Sequence, residues 1–160
     1  MYFSTRRARL TVACVAAVLV LALGPAIAAD PAQHRIADGI AVYLGVLPAE
    51  MIQGHGKAHA ESGMHGGPRA GEHVYHVMVA LFESDTGERI GDAEVRARVS
   101  ELGLAGSEMP LEPMSIAGTV TYGNYFDLSG RAMYRIALEI RRPGAKRPVK
   151  AEFTYDHRMR

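Results

Sequence analysis

Apolar and polar residues alternate along three segments in the second half of the chain. Residues 93–99 read Ala-Glu-Val-Arg-Ala-Arg-Val, and residues 134–141 and 149–157 repeat the same period of two. This period is typical of a β-strand that turns one face to the core and the other to solvent. We therefore expect a half-buried strand at each of these places.

Three other segments are rich in strand-forming residues without a clean alternation. Residues 40–47 are apolar and β-branched, and residues 74–82 are apolar on both faces, as expected of a central strand. Residues 116–126 hold several Thr, Val and Tyr residues around a Gly-Asn pair, which predicts either a hairpin tip or a bulge. Residues 103–113 are predicted to form a loop. About seven short strands and no long helix predict an all-β fold, an immunoglobulin-like antiparallel β-sandwich.

The first 28 residues have the pattern of a cleavable signal peptide. Arg6, Arg7 and Arg9 precede an apolar run over residues 10–23, and Ala28 ends a small-residue cleavage motif. The run is shorter than the roughly 20 residues that span a bilayer, so we favour cleavage over a retained anchor. We predict one domain over residues 29–160 in an exported, periplasmic protein with no stable membrane anchor after cleavage. General secretion is favoured over the twin-arginine route, because no bulky residue follows the arginines.

Cleavage changes the chemistry that the chain can offer. Cys14, the single cysteine, lies in the signal, so thiolate nucleophiles, blue-copper centres and iron–sulfur clusters are excluded from the exported protein. Removing three of 18 basic residues leaves 15 against 17 acidic ones, a net charge of −2. No basic stripe remains, and we predict no binding to nucleic acid.

A glycine-loosened stretch over residues 53–73 carries the strongest functional pattern. Imidazoles and a thioether are ligands of late transition metals, and the Gly and Pro content argues against a packed strand or helix. The alternative interpretation is a solvated spacer. One ion cannot offset the cost of ordering about twenty residues, so we expect a local, exchangeable site. The candidate ligands are His55, His59, Met64, His65 and His73.

The strand that follows this loop adds two candidate ligands. His76 and Met78 are two residues apart, so they share one strand face at about 6 to 7 Å and could reach one ion. The alternative is that both are interior residues, because Val74, Ala80 and Phe82 lie on the same face.

The methionines of the chain indicate which metal to expect. Thioethers without thiols favour Cu(I) over Zn(II), so copper is the predicted ion, with zinc and nickel as alternatives. Individually, Met114 and Met133 are interpreted as core residues, and Met51 and Met109 as loop residues.

Turn and strand motifs in the second half of the chain resemble a known family. The Asp-Thr-Gly of residues 85–87, the Asp-Ala-Glu-Val of 92–95, and Gly130 followed by Tyr-Arg-Ile-Ala-Leu at 134–138 are similar to the periplasmic YtkA/FixH-like domains. The resemblance covers residues 74–155. It implies metal handling, in particular copper delivery around respiratory oxidases.

Two functions from different classes follow. The chain has no nucleophile elbow, zinc-protease helix, phosphate loop or dinucleotide fingerprint, so we expect no enzyme. The first hypothesis is an exported copper carrier or chaperone that passes its ion to an envelope protein. The alternative is a non-catalytic β-sandwich module of the cell envelope that docks on a partner and has no physiological metal.

Overall fold

The computed structural model describes residues 32–53, 71–116 and 118–158. The predicted signal peptide and most of the Gly/His loop, including His55, His59, Met64 and His65, lie outside the described residues. No helix in the described part of the chain is long and apolar enough to cross a membrane.

The described residues form eight strands and one short helix, and every strand pairing is antiparallel. The strand order is β1-β2-β3-β6-β5-β4-β7-β8, and the two end strands β1 and β8 contact each other, so the sheet curls into a nearly closed barrel or sandwich. The all-β prediction is confirmed. The elements are β1 (His34–Ala37), β2 (Ile40–Pro48), α1 (Ala49–Gln53), β3 (Val74–Glu83), β4 (Glu94–Glu101), β5 (Ser107–Ile116), β6 (Thr119–Asp127), β7 (Met133–Arg141) and β8 (Val149–Asp156).

The core forms where the alternating residues of these strands face each other. In β4 the apolar positions are buried and the charged positions between them are exposed, as the period of two predicted. β3 differs because it is apolar on both faces, and only its odd-numbered residues enter the core cluster. The inward-facing side chains of this cluster include Val42, Leu44, Val77, Val79, Leu81, Val95, Val99, Tyr122, Ile136, Leu138 and Phe153.

The expected loop over residues 103–113 is wrong, because most of it belongs to β5. The prolines and glutamates of this segment hide its strand character, since a central strand seldom contains proline. β5 tolerates them because it changes partner halfway: residues 107–111 pair with β4, and residues 112–116 pair with β6. Each half therefore has one side outside the ladder, where a missing N–H costs no ladder hydrogen bond.

The Gly-Asn pair predicted as a tip or a bulge is neither. Gly123 and Asn124 lie within β6, opposite Met78 and Val77 of β3 in an unbroken register. A glycine inside a strand often marks a close approach of other groups, and Gly123 has this role.

Candidate metal centre

The sheet formed by β2, β3, β6 and the second half of β5 has two faces with different partners. Its inner face contributes Val77 and Val79 to the core cluster, whereas His76 and Met78 lie on the opposite face, which we call the outer face. The two candidate ligands of β3 therefore share one face. Neither belongs to the core cluster, although His76 is buried, as the alternative interpretation expected.

Three side chains on the outer face are nevertheless almost fully buried. The exposed fraction is 2% for His76, 2% for Met114 and 3% for Tyr125. The His76 and Tyr125 rings are paired across β3 and β6, with their centroids 4.8 Å apart and their planes tilted by 37°. A metal ion bound by these side chains would therefore be shielded from solvent and would lie beside aromatic rings.

Gly123 leaves the space in which the imidazole and the methionine meet. A Cβ atom built on Gly123 would lie 2.6 Å from Nε2 of His76 and 2.7 Å from Cε of Met114. These two atoms are therefore at most 5.3 Å apart, the sum of the two distances. Any side chain at position 123 would fill the space that the two donor groups share.

Met78 lies between two glycines but turns toward the other one. Its register partners are Gly45 on β2 and Gly123 on β6. A Cβ on Gly45 would lie 3.0 Å from Cγ and 3.5 Å from Sδ of Met78, so the thioether lies on the β2 side of the strand. The structure thus brings His76 and Met114 together and places Met78 beside them, facing away.

Two oxygen-bearing side chains border the shared space. Thr121 is the register partner of Met114, and its buried Oγ1 has no hydrogen-bond partner among the described residues. Glu112 is the register partner of Gly123 and is exposed. The outer face therefore offers a buried hydroxyl and a solvated carboxylate next to the buried nitrogen and sulfur donors.

Among the other predicted ligands, only His73 lies in the described part of the chain, and it is not part of this cluster. His73 is exposed in the turn before β3, where its carbonyl accepts a hydrogen bond from the Leu128 amide at 2.8 Å. His55, His59, Met64 and His65 lie outside the described residues. Within the described ranges, no group of three or more His, Cys, Asp or Glu side chains is arranged to hold a metal. Beside His76, the nearby donor of another kind among the described residues is the thioether of Met114.

His157 is a second buried histidine, and its environment marks it as structural. Its Nδ1 lies 2.7 Å from the carbonyl of Gly130 and its Nε2 lies 2.7 Å from the hydroxyl of Tyr75. Because a carbonyl only accepts, Nδ1 donates to Gly130, and Nε2 of the neutral ring accepts from Tyr75. Both ring nitrogens are engaged, so His157 is not a ligand in this arrangement.

Several charged side chains on β4, β5 and β8 are engaged in ion pairs. Arg96 and Arg98 both bond to Glu108, and these bonds, with Arg98 contributing most, lower the pKa of the Glu108 carboxyl. At the end of β8, the guanidinium of Arg158, two residues beyond the strand, lowers the pKa of Asp156 to about 2. These carboxylates are solvated partners of arginine, as expected for the polar faces of strands.

Sequence reasoning missed Met114, Tyr125 and Gly123. Met114 was interpreted as a core residue, and Gly123 as part of a hairpin tip or a bulge. The one local signal was a glycine between tyrosines in a strand-forming segment, a position where backbone and other groups approach closely. Nothing local shows that this glycine lies beside His76.

Comparisons with known proteins support the fold. No protein-family model matches the chain, and no curated protein sequence matches it, so the YtkA/FixH resemblance remains a prediction. A solved DUF4426 family protein of Pseudomonas aeruginosa PAO1 is similar with a TM-score of 0.58 and 18% identity, over 78% of this chain and 92% of that protein.

Two further similar structures were solved with copper. One is a copper-bound variant of FetP from uropathogenic Escherichia coli strain F11, with 13% identity. The other is a copper-bound variant of P19 from Campylobacter jejuni, with 12% identity. Both have a TM-score of 0.58 and cover 77% of this chain and 92% of their own. At these identities the likeness establishes the shared fold.

Proposed function

We propose that this chain is an exported, periplasmic copper-binding protein, a carrier or chaperone that transfers its ion to another envelope protein, and that it has no catalytic activity. The observation that carries the proposal is the buried pair of His76 and Met114 over Gly123. The copper-bound forms of FetP and P19, which share the fold, support the choice of metal.

The donor chemistry fits copper. An imidazole nitrogen and a thioether sulfur are ligands of copper. His76 and Met114 place these two donors in a buried position beside a residue that has no Cβ. His76 and Met114 would hold the ion. Met78, on the same face, is the third candidate, and its thioether would have to turn away from Gly45 to reach the ion. Bound copper would supply no chemistry beyond its own transport.

The predicted loop ligands add a second, separable element to the proposal. We propose that His55, His59, Met64, His65 and His73 capture the ion from solution with modest affinity and that the outer-face pair retains it. Weak capture followed by retention suits a carrier, which must both acquire and release its cargo. Substitutions can distinguish the two groups of ligands, because no residue belongs to both.

Substitutions that remove one donor atom test the retention site. Met114→Leu conserves volume and removes the sulfur, while Met109→Leu makes the same change on the same strand, where Met109 packs against the core. We expect one equivalent of Cu(I) in the wild-type protein and an affinity about tenfold or more weaker in Met114→Leu, since metal-site changes commonly have effects of that order. Met109→Leu should bind as the wild type does.

His76→Leu provides the second arm of the same experiment, measured by competition with a chromophoric Cu(I) chelator under anaerobic conditions. It should lose the tight equivalent, and circular dichroism should show that it remains folded. A triple variant with His55→Ala, His59→Ala and His65→Ala should take up copper more slowly or less fully but keep that equivalent. Wild-type copper affinity in both Met114→Leu and His76→Leu would refute the proposed site.

One observation favours the second candidate, a metal-free interaction module. Leu102 and Leu104, in the turn between β4 and β5, are 46% and 64% exposed. Exposed leucines in a turn fit docking to another envelope protein. Negligible copper uptake by the wild type would favour this candidate over the carrier.

A further inference from the structure

We propose that the outer-face site selects a soft monovalent cation, Cu(I) or its analogue Ag(I), and discriminates against Cu(II), Zn(II) and Ni(II). This inference rests on the proposed copper-binding function and narrows it to one class of ion. Three features of the described residues carry it: the type of donor, the burial of the donors and the engagement of the surrounding backbone.

The first feature is the donor set. His76 provides one imidazole, and Met114 and Met78 provide thioethers, so none of the three carries a negative charge when the imidazole is neutral. Thioether sulfur is a soft ligand and selects Cu(I), whereas Cu(II) and Ni(II) prefer tetragonal sets of nitrogen and oxygen. The imidazole of His76 supplies only one of the nitrogen and oxygen ligands that Cu(II) and Ni(II) prefer.

The second feature is the cost of burying charge. The Born penalty rises with the square of the charge, so moving a dication into the same site costs about four times as much as moving a monocation. Negative ligands usually offset that penalty. Among the described carboxylates of this face, Glu112 and Asp127 are exposed, and Glu108 is held by two arginines. A dication between His76 and Met114 would therefore be poorly compensated.

The third feature is the backbone around the donors. β3 pairs with β2 on one side and β6 on the other, and Gly123 pairs with both β3 and β5. The backbone amides and carbonyls of β3 over residues 75–79 are therefore committed to the ladders. They are not available to complete a square set of ligands around Cu(II), but two or three soft side chains suffice for Cu(I).

The experiment uses the purified protein carrying His55→Ala, His59→Ala, His65→Ala and His73→Ala, so that the loop imidazoles do not bind divalent ions. Cu(I) and Ag(I) are titrated anaerobically by competition, and Cu(II), Zn(II) and Ni(II) by equilibrium dialysis. We expect one equivalent of Cu(I) or Ag(I), and a Cu(II) affinity at least about 100-fold weaker, a difference of roughly 2.8 kcal/mol. The Glu112→Gln variant should bind all five ions as its parent does.

Methyl NMR identifies the donor atoms directly, because Ag(I) is diamagnetic. The Cε resonances of Met114 and Met78 should shift on addition of Ag(I), and that of Met109, on the inner face, should stay in place. This readout also reports on folding in every variant, since Met109 packs against the core cluster.

The outcomes separate the inference from the proposed function. The selectivity would be overturned, and the carrier function would stand, if Cu(I) binding depends on Met114 but the Cu(II) affinity lies within tenfold of the Cu(I) affinity. Cu(II) binding that disappears in Glu112→Gln would overturn it as well, by identifying a carboxylate ligand. No Cu(I) or Ag(I) binding, with unmoved Met114 and Met78 resonances, would refute the copper site itself.

Discussion

Gly123→Ala is the most direct test of the candidate centre, because it adds one carbon atom at the point where the donors meet. The new Cβ would lie 2.6 Å from Nε2 of His76 and 2.7 Å from Cε of Met114. Non-bonded heavy atoms need about 3.5 Å, so at least one donor must move by roughly 1 Å. Metal–ligand distances tolerate only about 0.2 Å, so the displaced group can no longer bind in the same geometry.

The effect on stability should be smaller than the effect on binding. Overpacking costs about 1–3 kcal/mol, and replacing glycine by alanine within a strand returns about 0.5–1 kcal/mol of backbone entropy. Gly123 is not among the described glycines with positive φ, so alanine fits its backbone. We expect a net loss of unfolding free energy of roughly 0–2.5 kcal/mol, which leaves the protein folded. Copper affinity should fall about 10- to 100-fold, as when supporting groups of metal sites are changed.

The assay is Cu(I) competition combined with chemical unfolding of the same samples. Gly91→Ala is the matched control, because its Cβ would meet only Val120, at an ordinary distance of 3.4 Å. Gly45→Ala tests Met78 separately, since its Cβ would press on that side chain alone. A folded Gly123→Ala protein with wild-type Cu(I) affinity would refute the reasoning, because the ion could then not lie between His76 and Met114.

Three further predictions concern stability. Tyr122→Phe should lower the unfolding free energy by about 1–3 kcal/mol, because the Tyr122 hydroxyl accepts from the Ala93 amide and donates to the Ile90 carbonyl. A smaller loss of unfolding free energy, measured by urea denaturation, would contradict this prediction. Burial, and secondarily Asp92, raises the pKa of Tyr122. The stability that this shift contributes is therefore complete below pH 10 and is lost as pH rises through the higher folded pKa. Tyr122→Phe should flatten the dependence of the unfolding free energy on alkaline pH. Asp156, with its pKa lowered to about 2 by Arg158, contributes stability above pH 3.8 that is lost as pH falls toward 2, and an Arg158→Ala profile identical to wild type would exclude this.

Much of the fold could be predicted from local pattern. The alternation in residues 93–99 and 134–141 corresponds to β4 and β7, which pair side by side, and the apolar run at 74–82 corresponds to the central β3. The period of a strand is a property of neighbouring residues, so it is visible in the sequence. β5 was missed because its prolines are acceptable only when the strand changes partners, and pairing is not a local property.

The candidate site also has features that local pattern predicts and features that it does not. The shared face of His76 and Met78 follows from their spacing of two and could be predicted. The proximity of Met114, the tilted packing of the Tyr125 ring and the space over Gly123 depend on the register of β3 with β6 and of β6 with β5. Side-chain alternation is set by the local chain, but the register between distant strands is set by the packing of the whole core. For that reason the sequence alone determined which residues of β3 share a face, and only the tertiary structure decided which donor His76 meets.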